Sequence, residues 1–83
     1  MSYARRVDRD HARFISTLQK IGWAVVDTHA LPGFVDAVCY RAGILRLVEF
    51  KTEKGTTTPM QKDLHRRFPV VIVRSLDDCL RLR

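Results

Sequence analysis

The sequence predicts a small α/β domain in which helices flank a mixed sheet. Three observations predict this class: an N-terminal segment with helical periodicity, two apolar runs joined by a Gly-containing turn, and a second helical segment followed by the apolar run Val70–Val73. The predicted order of elements is α-β-β-β-α-β-α, in a single domain that spans residues 1–83.

The first predicted helix runs from about Asp8 to Ile21. Asp8 can cap its start, Gly22 can end it, and its apolar residues recur at helical spacing. These apolar positions are Val7, His11, Phe14, Ile15, Leu18 and Ile21. The next segment, Trp23–Thr28, is short, rich in β-branched residues and bounded by Gly22 and Pro32, so it predicts a strand.

The middle of the chain predicts a β-hairpin. The runs Phe34–Arg41 and Ile44–Lys51 are rich in Val, Ile, Leu, Tyr and Phe, and the short turn Ala42-Gly43 separates them. With the turn centred there, Arg41 faces Ile44. Each further pair of facing residues then keeps the same sum of residue numbers.

This register brings three charged side chains together at one end of the hairpin. Asp36 faces Glu49 with Cβ atoms about 4.5–5.5 Å apart, and alternation along the strand places Lys51 on the same face. Two carboxylates so placed destabilise a fold unless a positive charge lies between them, which favours a divalent cation with Lys51 beside it to handle a proton. The alternative is that these charges mark the solvated end of a hairpin.

The segment after the hairpin predicts a loop and a second helix. Residues 52–57 are polar and contain Gly55, and a helix is expected from Thr58 to about Arg67. Thr58 suits the N-cap and Pro59 the first helical position. Gln61 is three residues after Thr58, where a capping box has Glu or Gln.

The last two elements follow Pro69, which ends the second helix. The run Val70–Val73 is apolar throughout, which is typical of a central strand buried on both faces. Ser75 is expected to cap a last helix that extends to about Leu82.

Composition favours a folded domain with a polyanionic partner. The 83 residues are 46% hydrophobic and carry a formal charge of +6, so nucleic acid is the expected ligand. A chain this small predicts a homodimer, with Trp23, Phe68 and the last helix as surplus hydrophobic surface. No membrane-spanning run or apolar signal segment is present, so a cytoplasmic, intracellular protein is expected.

The cysteines and histidines predict no closed metal site. Cys39 and Cys79 lie in separate apolar runs, so free buried thiols are expected rather than a disulfide. His11, His29 and His65 lack the close spacing of zinc ligands, although one of them could reach an active cleft.

The pattern resembles the PD-(D/E)XK nuclease superfamily, in particular its small VRR-NUC and archaeal-type Holliday junction resolvase branches. The resemblance covers nearly the whole chain and depends on Gly33-Phe34-Val35-Asp36, a strand-turn-strand, Glu49-Phe50-Lys51, a helix and an apolar strand. It implies a restriction-endonuclease-like core and a metal-dependent DNA endonuclease, selective for branched DNA, that acts in DNA repair, recombination or phage DNA processing.

The resemblance also implies a role for each site residue. Asp36 and Glu49 bind Mg²⁺ or Mn²⁺, the backbone carbonyl of Phe50 completes the protein ligands, and Lys51 orients or activates the attacking water. Val35 stands where the family has proline, a position that supplies no ligand.

Many members of the family carry a further Glu on the first helix, and this chain has none there. The candidates for its place are Asp8, Asp10 and His11. Asp10 is favoured over the other two, and the alternative is a site without a ligand from this helix. Gln61 stands where related nucleases often have a Gln at the start of the helix, although the capping box also explains it.

Basic side chains on both long helices are candidate phosphate contacts, since phosphate contacts dominate affinity without reading sequence. They are Arg5, Arg6, Arg9, Arg13, Lys54, Lys62, Arg66 and Arg67, with Gln61 as a further candidate for substrate contact. Two alternatives to a nuclease remain: a nucleic-acid-binding dimer of the same fold with weak or no activity, and a structural or regulatory dimer that inhibits or adapts a larger nuclease.

Overall fold

The computed structural model describes residues 2–51 and 59–83, and the side chains of residues 10–51 and 59–83. Its elements are α1 (Ser2–Lys20), β1 (Ala24–Asp27), β2 (Ala37–Arg41), β3 (Ile44–Phe50), α2 (Pro59–Arg67), β4 (Val70–Val73) and α3 (Leu76–Leu80). The predicted class, a small α/β protein with a mixed four-stranded sheet and flanking helices, is confirmed. Within the described ranges, none of the helices is long and apolar enough to cross a bilayer.

The sheet has the strand order β1-β2-β3-β4. β1 and β3 run antiparallel to β2, whereas β4 runs parallel to β3. The prediction that Val70–Val73 is a central strand is wrong, because β4 is at one end of the sheet that the described residues form. Its side chains are mostly half-buried, because α3 packs beside it. A continuous apolar run in the sequence therefore does not require a strand on each side.

The predicted hairpin register is confirmed. Arg41 pairs with Ile44, and Ala37 pairs with Val48. The turn residues Ala42 and Gly43 have φ angles of 51° and 82°. Two central residues with positive φ are the signature of the type I′ turn, whose twist matches that of the strands it joins. The turn therefore fixes which residues of β2 and β3 face each other.

The second strand begins later than predicted, at Ala37 rather than Phe34. Asp36 lies just before it, where its backbone N–H donates to Val48 O (3.1 Å) and its carbonyl accepts from Thr28 N–H (2.8 Å). The segment before Asp36 turns, because Phe34 N–H donates to the carbonyl of Leu31. Asp36 is thus held by backbone bonds at the mouth of the sheet instead of within the strand.

The first helix also differs from the prediction, because it begins at Ser2 and Asp8 lies in its interior. The helix-favouring residues Ala4, Arg5 and Arg6 continue the helix upstream of the expected cap. The end is close to the prediction at Lys20. The last helix has the predicted cap, since Ser75 Oγ accepts from the backbone N–H of Asp78.

The hydrophobic core lies on the sheet face covered by α1 and α3. It contains Phe14, Leu18, Trp23, Ala37, Cys39, Val48, Val73, Cys79 and Leu82. Cys39 and Cys79 are free thiols, as predicted, and burial raises the pKa of each to about 11. Trp23 is also buried, with the Arg41 guanidinium 4.4 Å from its ring centroid. The expectation that Trp23 supplies dimer surface is therefore wrong, whereas Phe68 is 46% exposed.

Candidate functional site

Alternation along β3 separates the core from a polar cluster. Val48 and Phe50 point toward α1, so Glu49 and Lys51 point to the opposite face of the sheet. Both charged side chains are nevertheless buried, with Glu49 only 2% exposed. Charged groups are almost never this buried without partners, so the contacts of Glu49 and Lys51 decide what the cluster can do.

Gln61 connects the two charged residues. Its amide oxygen accepts from Lys51 Nζ (2.9 Å), and its amide N–H donates to Glu49 Oε2 (2.5 Å). Lys51 Nζ lies 3.4 Å from the same carboxylate oxygen. Gln61 thus joins the site through its side chain, whereas the predicted capping box involves Thr58, which lies outside the described residues.

The other oxygen of Glu49 has a different environment. Glu49 Oε1 is buried and accepts no hydrogen bond from a donor group of the described residues. The Asp36 carboxyl group lies within hydrogen-bond distance of the Glu49 side chain, so the two groups can share a proton. Burial and the neighbouring Asp36 carboxylate raise the pKa of Glu49 to about 7, and Lys51 opposes this increase only in part. A second charged carboxylate beside Asp36 is costly unless further positive charge is supplied.

Asp36 is fixed beside β3 by its side chain. Asp36 Oδ2 accepts from the backbone N–H of Phe50 at 2.8 Å. Because the N–H and C=O of one strand residue point to the same side, the Phe50 carbonyl points toward Asp36 as well. The potential metal ligands at this end of the sheet are therefore oxygens: the Asp36 carboxylate, Oε1 of Glu49 and the carbonyl of Phe50. Such a set fits a hard divalent cation such as Mg²⁺ or Mn²⁺.

The first-helix candidates are not part of this cluster in the described contacts. Asp10 forms an ion pair with Arg13 (3.7 Å) on α1, which packs against the other face of the sheet. His11 packs edge-on against Phe50, with ring centroids 4.7 Å apart. The side chain of Asp8 lies outside the described part. A metal-ligand role for Asp10 stays a prediction.

The predicted phosphate contacts fall into two groups. Arg13, Lys62, Arg66 and Arg67 are exposed, and Arg66 pairs with Asp63 at 2.7 Å. The other group lies outside the described side chains and comprises Arg5, Arg6, Arg9 and Lys54. Contact of either group with nucleic acid stays a prediction.

The structure also brings together a cluster that the sequence analysis missed, formed by His11, Asp27 and His29. Asp27 Oδ1 lies 2.7 Å from His29 Nδ1 and 3.5 Å from His11 Nε2, and the two imidazole centroids are 4.6 Å apart. Burial raises the pKa of Asp27, but hydrogen bonds from the side chain and backbone of His29 outweigh it and leave the pKa lowered. Asp27 is therefore an anion at neutral pH.

The signals for this cluster were weak but present. His11 occupies an apolar position of α1, which predicted that it faces the sheet, and Asp27-Thr28-His29 follows directly from β1. What the sequence could not supply was the packing of α1 against β1, which brings His11 to the end of that strand.

Comparison of the chain with models of protein families, with curated proteins and with solved structures gave no match.

Proposed function

We propose that the protein is a metal-dependent DNA endonuclease with a restriction-endonuclease-like core of the PD-(D/E)XK type. The observation that carries the proposal is the buried Glu49, whose Oε1 accepts no hydrogen bond from a described donor group and whose side chain lies within hydrogen-bond distance of the Asp36 carboxyl group. A cation held by these oxygens relieves the repulsion between the carboxylates, which accounts for an arrangement that a purely structural hairpin end has no reason to keep.

When bound, Mg²⁺ or Mn²⁺ would supply positive charge beside the scissile phosphate and lower the pKa of water. Asp36 and Glu49 would hold the cation, and the Phe50 carbonyl would complete the protein ligands. Lys51 presents its ammonium group beside Glu49, where it can hydrogen-bond the attacking water or the phosphate oxygens as negative charge accumulates.

Gln61 acts as a positioning residue. Its amide holds Lys51 Nζ and Glu49 Oε2 at once, which fixes the direction of the ammonium group relative to the carboxylate. A lysine on a long flexible stem gains most from such a restraint, because catalysis depends on the orientation of the reacting groups.

The proposed substrate is DNA, approached through the exposed basic residues of α1 and α2. Phosphate contacts of this kind carry no sequence information, and 83 residues leave little room for a separate recognition domain. We therefore propose selectivity for branched DNA structure, with two sites in a homodimer making paired cuts.

The test measures cleavage of linear, nicked, flapped and four-way DNA in Mg²⁺ and in Mn²⁺. Glu49→Gln keeps the shape of the side chain and removes its charge, so cleavage should fall by about 10²-fold or more. Asp77→Asn is the matched control, because Asp77 is an exposed carboxylate of α3 whose partner is Arg81. DNA affinity at low salt should change little in either variant.

Equal cleavage by Glu49→Gln and the parent would contradict the assignment of chemistry to this cluster. DNA binding without cleavage in either metal would instead support the inactive nucleic-acid-binding dimer. A parent protein that binds none of the DNA forms at low salt would support the structural or regulatory dimer.

A further inference from the structure

The cluster of His11, Asp27 and His29 shares no residue with the carboxylate cluster and has no part in the proposed hydrolysis. Its side chains come from two parts of the chain: His11 from α1, and Asp27 and His29, which are two residues apart, from the end of β1 and the connection that follows it. Each offers a donor atom, and the three donors lie within 4.8 Å of one another.

The distances are close to those of a metal site. Two ligand atoms bound to tetrahedral zinc at about 2.0–2.1 Å lie roughly 3.4 Å apart. His11 Nε2 and Asp27 Oδ1 are already 3.5 Å apart. The 2.7 Å contact between Asp27 and His29 is a hydrogen bond that must lengthen, and both side chains can rotate because they are 46% and 50% exposed.

His11 supplies the second observation. Its side chain is only 12% exposed, yet Nε2 is buried and has no hydrogen-bond partner among the described residues. Phe50 packs against the ring at 4.7 Å and limits how it can turn. A buried imidazole nitrogen that lacks a partner is costly, and it is directed toward the one carboxylate of the cluster.

The surroundings leave room for a metal and one further ligand. A cleft of about 260 Å³ is lined by His11, Ala12, Asp27 and His29. The donor set of two imidazoles and one carboxylate suits zinc and related transition metals, whereas Mg²⁺ prefers oxygen ligands alone.

We propose that His11, Asp27 and His29 bind one Zn²⁺ ion, with a coordination position open to water or another small ligand. The ion joins α1 to the end of β1 and to the connection that leads to Asp36. Because His11 lies on α1 and the other two ligands lie at the end of β1, bound zinc cross-links these two parts of the fold and stabilises it against unfolding.

The experiment uses the full chain after removal of metal with a chelator. Zn²⁺ affinity is measured by competition with a chromophoric chelator, and Co²⁺ serves as a spectroscopic probe of coordination by nitrogen. The parent should bind one equivalent, and His29→Ala or His11→Gln should weaken binding by about 10²-fold or more. His65→Ala is the matched control, because His65 lies on α2 outside the cluster, and its affinity should equal that of the parent.

Glu49→Gln separates this site from the proposed catalytic one. The variant should still bind one equivalent of Zn²⁺ at parental affinity, whether or not the parent cleaves DNA. His29→Ala removes an exposed side chain and should keep the parental circular dichroism spectrum, so misfolding of His11→Gln would not decide the outcome. Parental Zn²⁺ affinity in His29→Ala, or no binding by the parent at micromolar Zn²⁺, would overturn the proposal.

Discussion

The two polar clusters of this protein were built in different ways. The carboxylate cluster depends mainly on one hairpin, because a single turn sets the register of β2 and β3 and thereby the positions of Asp36 and Glu49. The histidine cluster depends on the packing of α1 against β1. One is buried and contains opposing charges, whereas the other opens to solvent through Asp27 and His29.

A site built on one hairpin can be inferred from sequence more readily than a site built by packing. Residues of a hairpin are related by simple arithmetic once the turn is located, so their neighbours follow from spacing. A site whose ligands come from separate elements needs the tertiary structure. We expect the carboxylate cluster to be needed for cleavage. We expect the histidine cluster to bind metal and stabilise the fold without being needed for cleavage.

The largest expected effect concerns Lys51. Replacing it with Ala removes the ammonium group that is proposed to position water and leaves the basic surface nearly unchanged. Cleavage of branched DNA in Mg²⁺ should therefore fall by about 10²-fold or more while DNA affinity changes little. Single-turnover cleavage and a binding isotherm on the same DNA measure the two quantities. If the cleavage rate and the DNA affinity both fell to the same extent, Lys51 would act in DNA binding and not in the chemical step.

The next prediction concerns pH and the raised pKa of Glu49. A carboxyl group with a pKa of about 7 in the folded chain and 4.5 as its ordinary value binds its proton more tightly when folded. The free energy of unfolding should therefore decrease as pH rises from about 4.5 to about 7, by up to about 3 kcal/mol relative to Glu49→Gln.

Urea unfolding in a chelator, compared between parent and variant at each pH, measures this difference. Mg²⁺ should reduce the decrease, because a cation between the carboxylates favours the charged form. A difference between parent and Glu49→Gln that does not vary with pH would show that Glu49 ionises normally.

A smaller effect is expected from zinc on thermal stability. Ligand at 100 times its dissociation constant stabilises a folded protein by about 2.7 kcal/mol, so the parent should melt several degrees higher with Zn²⁺. His29→Ala should show no such increase, whereas Asp36→Asn should keep it. Thermal melts followed by circular dichroism make the comparison. A zinc effect lost in Asp36→Asn alone would place the ion in the carboxylate cluster.

The smallest effect concerns the turn that sets the hairpin. The φ of Ala42 is 51°, in the left-handed region, and this conformation costs most L-residues energy. Asn adopts the left-handed region at a lower cost. Ala42→Asn should raise the free energy of unfolding by up to about 1 kcal/mol, and the β-branched Ala42→Val should lower it by a similar amount. Denaturant unfolding of the three proteins measures both changes. Destabilisation by Asn would argue against the type I′ turn and hence against the register.

Much of the architecture could be predicted because the signals were local. The hairpin register followed from Ala42-Gly43, and the last helix followed from the Ser75 cap. The predicted start of α1 was wrong, because a residue suited to be a cap, such as Asp8, can lie inside a helix when helix-favouring residues precede it. The predicted central position of β4 was wrong, because an apolar run indicates burial but does not indicate how many strands lie beside it.

The candidate site was predicted unevenly for the same reason. Glu49 and Lys51 share a face by alternation alone, but the contact of Gln61 with both depends on where α2 lies after a segment outside the described residues. The predicted capping box already explained why Gln61 is polar, so nothing in the sequence required its side chain to contact Glu49 and Lys51. Trp23 was assigned to a dimer surface because composition does not show that it packs in the hydrophobic core with Arg41 over its ring.

The sparse attachment of α2 has a consequence for dynamics. None of its residues, Pro59 to Arg67, is buried, and the amide of Gln61 is its described link to Glu49 and Lys51. Elements with little buried apolar surface open at a lower free energy than the rest of a fold. We expect α2 amides to exchange with deuterium sooner than those of β2 and β3, by local opening rather than global unfolding. Each opening releases Lys51 and uncovers Glu49, so the helix that arranges these two residues also controls how often the carboxylate cluster is accessible to solvent.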